Sequence, residues 1–118
     1  MMTFEIDDAG LIEFTVDGEI TRREYDEAVV AMEALIARHG HLSAVTVIRS
    51  FAGMELAAWW RDISWGVGHM AKVRRVAVVT DVGWLATLAE ASGHLLPMQL
   101  KRFKRAEIDA ARGWARAG

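Results

Sequence analysis

The hydrophobic pattern predicts an α/β layer fold: a mixed sheet of about five strands with four helices, in the order ββαβαβαβα. Three observations carry this. Two alternating runs at the N-terminus read as a hairpin; two nearly continuous β-branched runs, LSAVTVI and RVAVVTD, read as strands covered on both faces; and helical periodicity fills the intervals between strands. Alternation of this kind implies right-handed crossovers and a partly parallel central sheet.

TFEID and LIEFTVD flank DAG, where Gly10 can take the positive φ of a short bulged hairpin loop. In the second run Ile12, Phe14 and Val16 form the apolar face, opposite Leu11, Glu13, Thr15 and Asp17. TRREYDEAVVAMEALIARHG follows, with Thr21 and Glu24 at capping-box spacing. Tyr25, Ala28, Val29, Met32, Leu35 and Ile36 make one helical stripe, and Gly40 suits the left-handed residue beyond the last turn. After RVAVVTD, VGWLATLAEAS reads as a helix started by Asp81 and ended at Gly93. Pro97 introduces MQLKRF, a strand expected at the sheet edge, where a missing N–H is tolerated. The closing helix places Ile108, Ala111, Trp114 and Ala115 on one face.

Between the two buried strands lies MELAAWWRDISWGVGHM, Met54 to Met70. At helical angles Leu56, Trp60, Ile63, Val67 and Met70 fall within about 40° of one line, with Trp59 to the side. Trp65 falls about 180° away, so a straight helix would point it outward, at a cost of roughly 2 kcal/mol unless something covers it. A second subunit, a membrane or nonpolar ligand, or a neighbouring loop reached through a bend are the three coverings. Gly66 and Gly68 favour a bend, each costing about 1 kcal/mol against Ala in a helix.

The 118 residues, 53% of them hydrophobic, suffice for one core, so residues 1–118 are read as a single domain. Cysteine is absent from the sequence, which rules out disulfides, thiolate metal sites and a Cys nucleophile, and fits a cytoplasmic location. MMTFEIDDAG lacks the basic-then-apolar run of a secretory signal, and no apolar window approaches the roughly 20 residues of a membrane span. Residues 1–59 carry 4 basic and 11 acidic side chains, net −7; residues 60–118 carry 10 and 5, net +5. Folding is expected to intermix the halves. The overall net charge of −2 argues against nucleic acid as a partner.

No constellation carries catalysis, and no cofactor or metal is expected. GVGHMA matches G-x-G-x-x-A, but a helix pattern precedes it and a strand follows, the reverse of what phosphate binding requires. His39 and His41 lie at a helix end, where imidazole is favoured without any metal. Asp7 and Asp8 suit a turn. KRFKR, Lys101 to Arg105, is the densest basic run and the feature that could meet an anionic membrane surface.

The chain resembles the SpoIIAA-like family, related in fold to STAS domains and to lipid-binding CRAL-TRIO/Sec14 domains. The resemblance rests on GEITRREYDEAVVAMEALIARHG after a hairpin, Trp60 and Asp62 in the middle helix, RRVAVVTD and Trp84, and MQLKRF with AARGW. It implies a small mixed sheet, frequent homodimers, nonpolar ligands or membrane association, and no enzymatic activity. It also brings to mind the STAS switch, a serine phosphorylated within D-S-[ST]-G at a helix start. Here the junction reads IRSFAGM: Ser50 is in place, but Arg49 stands for Asp, and Phe51 and Ala52 follow. The expected function is therefore a non-enzymatic module binding a small nonpolar or lipid-like ligand, walled by Phe51, Leu56, Trp59, Trp60, Ile63 and Trp65. The alternative is a protein-interaction or regulatory module of STAS type, with Ser50 as its regulatory residue.

Overall fold

The hairpin forms where the alternation places it. In the computed structural model of the chain, which describes residues 1–7, 9–54, 65, 66, 68–93 and 95–118, β1 (Met2–Ile6) and β2 (Leu11–Val16) pair antiparallel. Gly10 turns at φ +83°, a region side chains avoid. Asp7 Oδ1 accepts from the amides of Ala9 and Leu11, fixing the loop from its other end.

Helix α1 (Arg22–His39) buries Tyr25, Ala28, Val29, Met32, Leu35 and Ile36, the stripe its periodicity predicts. Both halves of the capping box are present, and Gly40, at φ +80°, returns its N–H to the Ile36 carbonyl at 2.7 Å. Glu24 does more than cap. Its Oε1 accepts from the Thr21 amide at 3.0 Å while Oε2 accepts from the Met2 amide at 2.6 Å, so one carboxylate joins the start of α1 to the edge strand β1.

The remaining elements, in chain order, are β3 (Glu19–Ile20), β4 (Leu42–Ile48), β5 (Gly53–Met54), β6 (Val73–Thr80), α2 (Gly83–Ser92), β7 (Gln99–Phe103) and α3 (Ile108–Arg116). Short 3₁₀ turns cover Met70–Lys72 and Arg105–Glu107. The main sheet runs β1-β2-β4-β6-β7, parallel everywhere except the first pair. This is the expected five-stranded mixed sheet, with β7 at an edge.

Three details differ from the sequence reading. Among the described residues there are three helices rather than four; of the expected middle helix, Trp65, Gly66, Gly68 and His69 are helical, and residues 55–64 lie outside the described part. The order also contains β3 and β5, which pair parallel with each other, Glu19 opposite Gly53. Two-residue strands have no periodicity to read. Finally, α2 does not start on Asp81: its N-cap is Val82, and Asp81 Oδ1 instead accepts from the Arg105 amide at 3.1 Å. Thr80 takes over locally, its Oγ1 accepting from the Val82 amide and donating to the Ile48 carbonyl.

Strand order decides where the helices go. From β2 through β4 and β6 to β7 the chain advances across the sheet in one direction, so right-handed crossovers all fall on one face. That face carries Ile12, Phe14, Val16, Leu42 and Ala44 against the α1 stripe and Trp65. The opposite face is left to α3. There Ala111 and Ala115 pack on Leu11, Val45, Val47, Ala77, Val79 and Phe103. Leu11, read from alternation as solvent-facing, is thus buried, at 4% exposure, because β2 is covered on both sides.

Polar contacts also fasten α3. Arg75 donates to the Trp114 carbonyl at 2.8 Å and lies 5.0 Å over the Trp114 ring. Arg112 grips both oxygens of Glu13 at 2.7 and 2.9 Å, and Arg116 reaches Asp7 at 3.3 Å. These last two pairs join basic residues of the second half to acidic residues of the first. The charge gradient along the sequence is met, in part, inside the fold.

Two stability predictions follow from these contacts. Gly93 closes α2 in a right-handed conformation, φ −58°, so a left-handed turn is not its role. A Cβ there would stand 2.9 Å from the Leu100 carbonyl oxygen, which is backbone and cannot swing aside. Gly93→Ala is expected to lower unfolding free energy by about 1–3 kcal/mol in urea denaturation, the range of overpacked sites.

Burial alone would raise the Glu24 carboxyl, but the Met2 amide and the amide and hydroxyl of Thr21 outweigh it and hold the group below its ordinary value of 4.5. Asp7 behaves likewise: burial would raise it, and the Ala9 and Leu11 amides with the Arg116 guanidinium bring it below 3.8. Lowered carboxyls bind fewer protons folded than unfolded, so their contribution is complete above the ordinary values and is lost as pH falls from these through the lowered folded-state values. Thermal stability should therefore drop below about pH 4.5, and Glu24→Gln should flatten that acid limb while lowering stability at neutral pH.

A candidate nonpolar-ligand cavity

On the crossover face, α1 and α2 leave part of the sheet uncovered, and a cavity of about 350 Å³ lies there. Its floor is Phe14 and Val16 of β2, Ala44, Thr46 and Ile48 of β4, and Val76 of β6. Tyr25, Ala28 and Met32 of α1 form one wall, with Leu85 of α2 and Met98 opposite. Phe51, Met54, Trp65 and Gly66 also line it, and Met2, Ile20, Leu42 and Val73 complete the described lining. Among the described lining residues none is charged, and only Tyr25, Thr46 and Trp65 carry a polar nitrogen or oxygen.

Trp65 is 8% exposed, not outward-facing as a straight helix would have it. It belongs to the core cluster with Phe14, Tyr25, Ala28, Met32 and Ala44. Helical angles state which residues share a face; they do not state which face meets the sheet. The covering comes from this chain itself. His69 stacks on the indole, centroids 4.5 Å apart and planes within 8°, and its Nδ1 lies 2.9 Å from the Trp65 carbonyl. Because a carbonyl only accepts, that Nδ1 bears the proton. The Trp65 Nε1–H, by contrast, is buried and has no acceptor among the described residues, as is also true of His39 Nε2. A buried donor left so costs roughly 1–3 kcal/mol.

Phe51, also expected in the wall, is half-buried there and sits 6.0 Å from the ring of Trp84. Trp84 and Leu88 of α2, with Leu95 beyond it, are exposed. Leu56, Trp59, Trp60 and Ile63, and with them the Trp60–Asp62 pair, lie outside the described residues. Phe14, Tyr25, Ala28, Met32, Ala44 and Ile48 were legible only as core; that Ala28 and Ala44, two small side chains, would come to line one space has no signature in either segment alone.

Ser50 does not open a helix. It sits in the exposed link from β4 to β5, where its Oγ donates to Asp17 Oδ1 at 2.5 Å and accepts from the Gly18 amide at 2.9 Å. The Gly18 amide also reaches the Ser50 carbonyl, and the Ala52 amide donates to Gly18, so this serine stitches the β2–β3 turn to the chain after β4. Gly66 and Gly68 are helical and precede β6, which is not a phosphate-loop geometry. The His39 ring packs beneath Gly10, while His41 Nδ1 faces the His39 carbonyl at 3.0 Å. Among the described residues no group of three His, Asp or Glu side chains is placed to hold a metal ion. In KRFKR, Arg102 turns inward onto the Thr80 carbonyl at 2.8 Å, and Lys101 lies over Phe103. Among the described residues no helix is long and apolar enough to cross a membrane.

A one-directional run of crossovers, with one described helix on the reverse face and an apolar cavity under the crossovers, defines a small α/β domain. The model of the SpoIIAA-like family matches residues 11–116, and the chain belongs to that family. Among solved structures, an uncharacterized protein of the DUF3478 family with a SpoIIAA-like fold, from Shewanella loihica PV-4, is similar with a TM-score of 0.76. It is 22% identical, and the match covers 98% of this chain and 92% of that one. This likeness shows the fold. No curated protein matches.

The bonding of Ser50 gives a direct test. A carboxylate or phosphate at this position forfeits the donated hydrogen bond and faces the Asp17 carboxylate across a hydrogen-bond distance. Ser50→Asp is expected to destabilise the protein by about 1–2 kcal/mol, more than Ser50→Ala; equal stability of the aspartate variant and the parent in thermal melts would contradict this account of the serine.

Proposed function

We propose that the protein is a non-enzymatic binding module that takes a small nonpolar or lipid-like molecule into the cavity between α1, α2 and β4. The cavity carries this reading. Protein interiors leave few voids larger than a water molecule. An open cleft of about 350 Å³ whose described walls are almost wholly apolar leaves that surface wet, and roughly 25 cal/mol is recovered per Å² of it that an occupant covers. Water is a poor filler, since it needs two to four polar partners and the described walls offer few. An apolar occupant recovers the burial energy.

Size narrows the class. At roughly 30 Å³ per water-sized group, the space accepts on the order of a dozen non-hydrogen atoms, the scale of a medium acyl chain or a small terpenoid and well below a two-chain phospholipid. Leu56, Trp59, Trp60 and Ile63 would complete the wall or form a lid. The alternative centred on Ser50 has less support, because the hydroxyl is engaged with Asp17 and Gly18.

Since Trp65 is already buried, a blue shift of its emission is a poor reporter, and quenching is a better one. Titration with 1-bromodecane should quench part of the tryptophan fluorescence saturably, and Trp65→Phe should remove that part. Ala44→Leu, which fills the floor, should weaken binding at least about tenfold, with a cooperative thermal melt showing that the variant folds. Quenching that never saturates, or binding untouched by Ala44→Leu, would refute the cavity as the site.

A further inference from the structure

Four of the chain's six methionines, Met2, Met32, Met54 and Met98, line the cavity. They stand among 19 described lining residues, a share well above an even scatter of six over 118 positions. They also come from separate places, β1, α1, β5 and the approach to β7, so the thioethers border the space from several elements rather than as one helical stripe. The floor is of the opposite kind. Val16, Thr46, Ile48 and Val76 are all β-branched, which restricts their χ1 angles.

The two materials respond differently to an occupant. Methionine is unbranched, with three rotatable bonds and a polarizable sulfur, and it fills irregular gaps by changing rotamer; a β-branched side chain on a sheet has little such freedom. A cavity ringed by stiff groups fits one outline. One with a stiff sheet face and thioethers on its other borders can change its outline to follow what it holds.

We propose that the cavity selects its occupant by size and apolarity rather than by outline, so that linear, monocyclic and fused-ring hydrocarbon bodies of equal carbon count bind alike. This rests on the cavity-binding reading and states how broad the ligand class is. Met32, 7% exposed on α1, and Met54, half-buried in β5, both belong to the core cluster around the floor and are the residues on which the breadth turns. Recognition surfaces that accept many partners use side chains able to repack in this way. Each thioether that settles on a ligand gives up rotamer freedom, so broad acceptance comes with moderate affinity for any one ligand.

The test compares decane, limonene and decalin, hydrocarbons of equal carbon count and different outline. Displacement of 1-bromodecane from the full chain should give affinities for the parent within about fivefold of one another. Met32→Ile/Met54→Ile exchanges two thioethers for stiff side chains with the same number of heavy atoms. With a cooperative melt showing that it folds, the double variant should spread the three affinities past about tenfold. On the parent carrying ¹³C in its methionine methyl groups, the resonances of Met2, Met32, Met54 and Met98, assigned by single Met→Leu variants, should move to different positions with the three ligands. That of Met1, 58% exposed and outside the lining, should stay put. A parent that separates the three by more than about fivefold, or a folded double variant no more selective than the parent, refutes the pliable wall although the cavity reading survives. Methyl resonances that stay fixed while 1-bromodecane is displaced put the ligand outside the cavity and overturn both readings. If none of the three binds, the cavity reading falls and this one with it. The parent's affinities need no substitution, so the result does not depend on the variant folding.

Discussion

Everything on the functional side of this molecule depends on the direction in which the chain crosses its sheet. Because β2, β4, β6 and β7 follow one another across the sheet without reversal, right-handed connections place every crossover on the same face. The central strand β4 must be covered on both faces, since Val45 and Val47 point one way and Leu42 and Ala44 the other. One face must therefore be closed by whatever chain is left after β7. The other receives more chain than a single helix, arranged as separate pieces.

The two faces solve this differently. Helix α3 comes close on small side chains, Ala111 and Ala115 at 0% and 1% exposure, and is fastened at several points by Arg75, Arg112 and Arg116. The cleft left on that side, beside β1 and β2, is polar and is lined by Glu13, Asp109, Arg112 and Arg116 among others. On the other side α1 packs over β1, β2 and β4 through a broad stripe, while α2 sits at β6 and β7. Between them Ala28 and Ala44 line a gap that Trp65 also borders. One face of the sheet is fastened by ion pairs and the other keeps an apolar cleft.

Much of this was legible beforehand, for identifiable reasons. The α1 stripe and its capping box depend on local spacing, and both appeared residue for residue. The strands of the main sheet were recognisable because β-branched runs bounded by turns have few other uses. What escaped was set by distant partners. Asp81 is drawn away from its expected capping role by the Arg105 amide, Leu11 is buried because α3 returns to cover it, and β3 and β5 exist only as each other's neighbour. Trp65 was singled out from the sequence as the residue needing a cover, yet its cover is His69 four positions on, together with the α1 side of the core. The cavity had no local signature, since an alanine on α1 and another on β4 mean nothing until the sheet sets them opposite each other.

The central claim is that the cleft on the crossover face holds an apolar ligand. The most direct measurement is a crystal structure of the protein grown with the methyl ester of a terminally brominated medium-chain acid, its bromine located by anomalous scattering. The account predicts one bromine site within the cavity, over Ala44 and Ile48. Bromine found only against the exposed side chains of Trp84 and Leu88, or a cavity closed by repacked side chains, would contradict it.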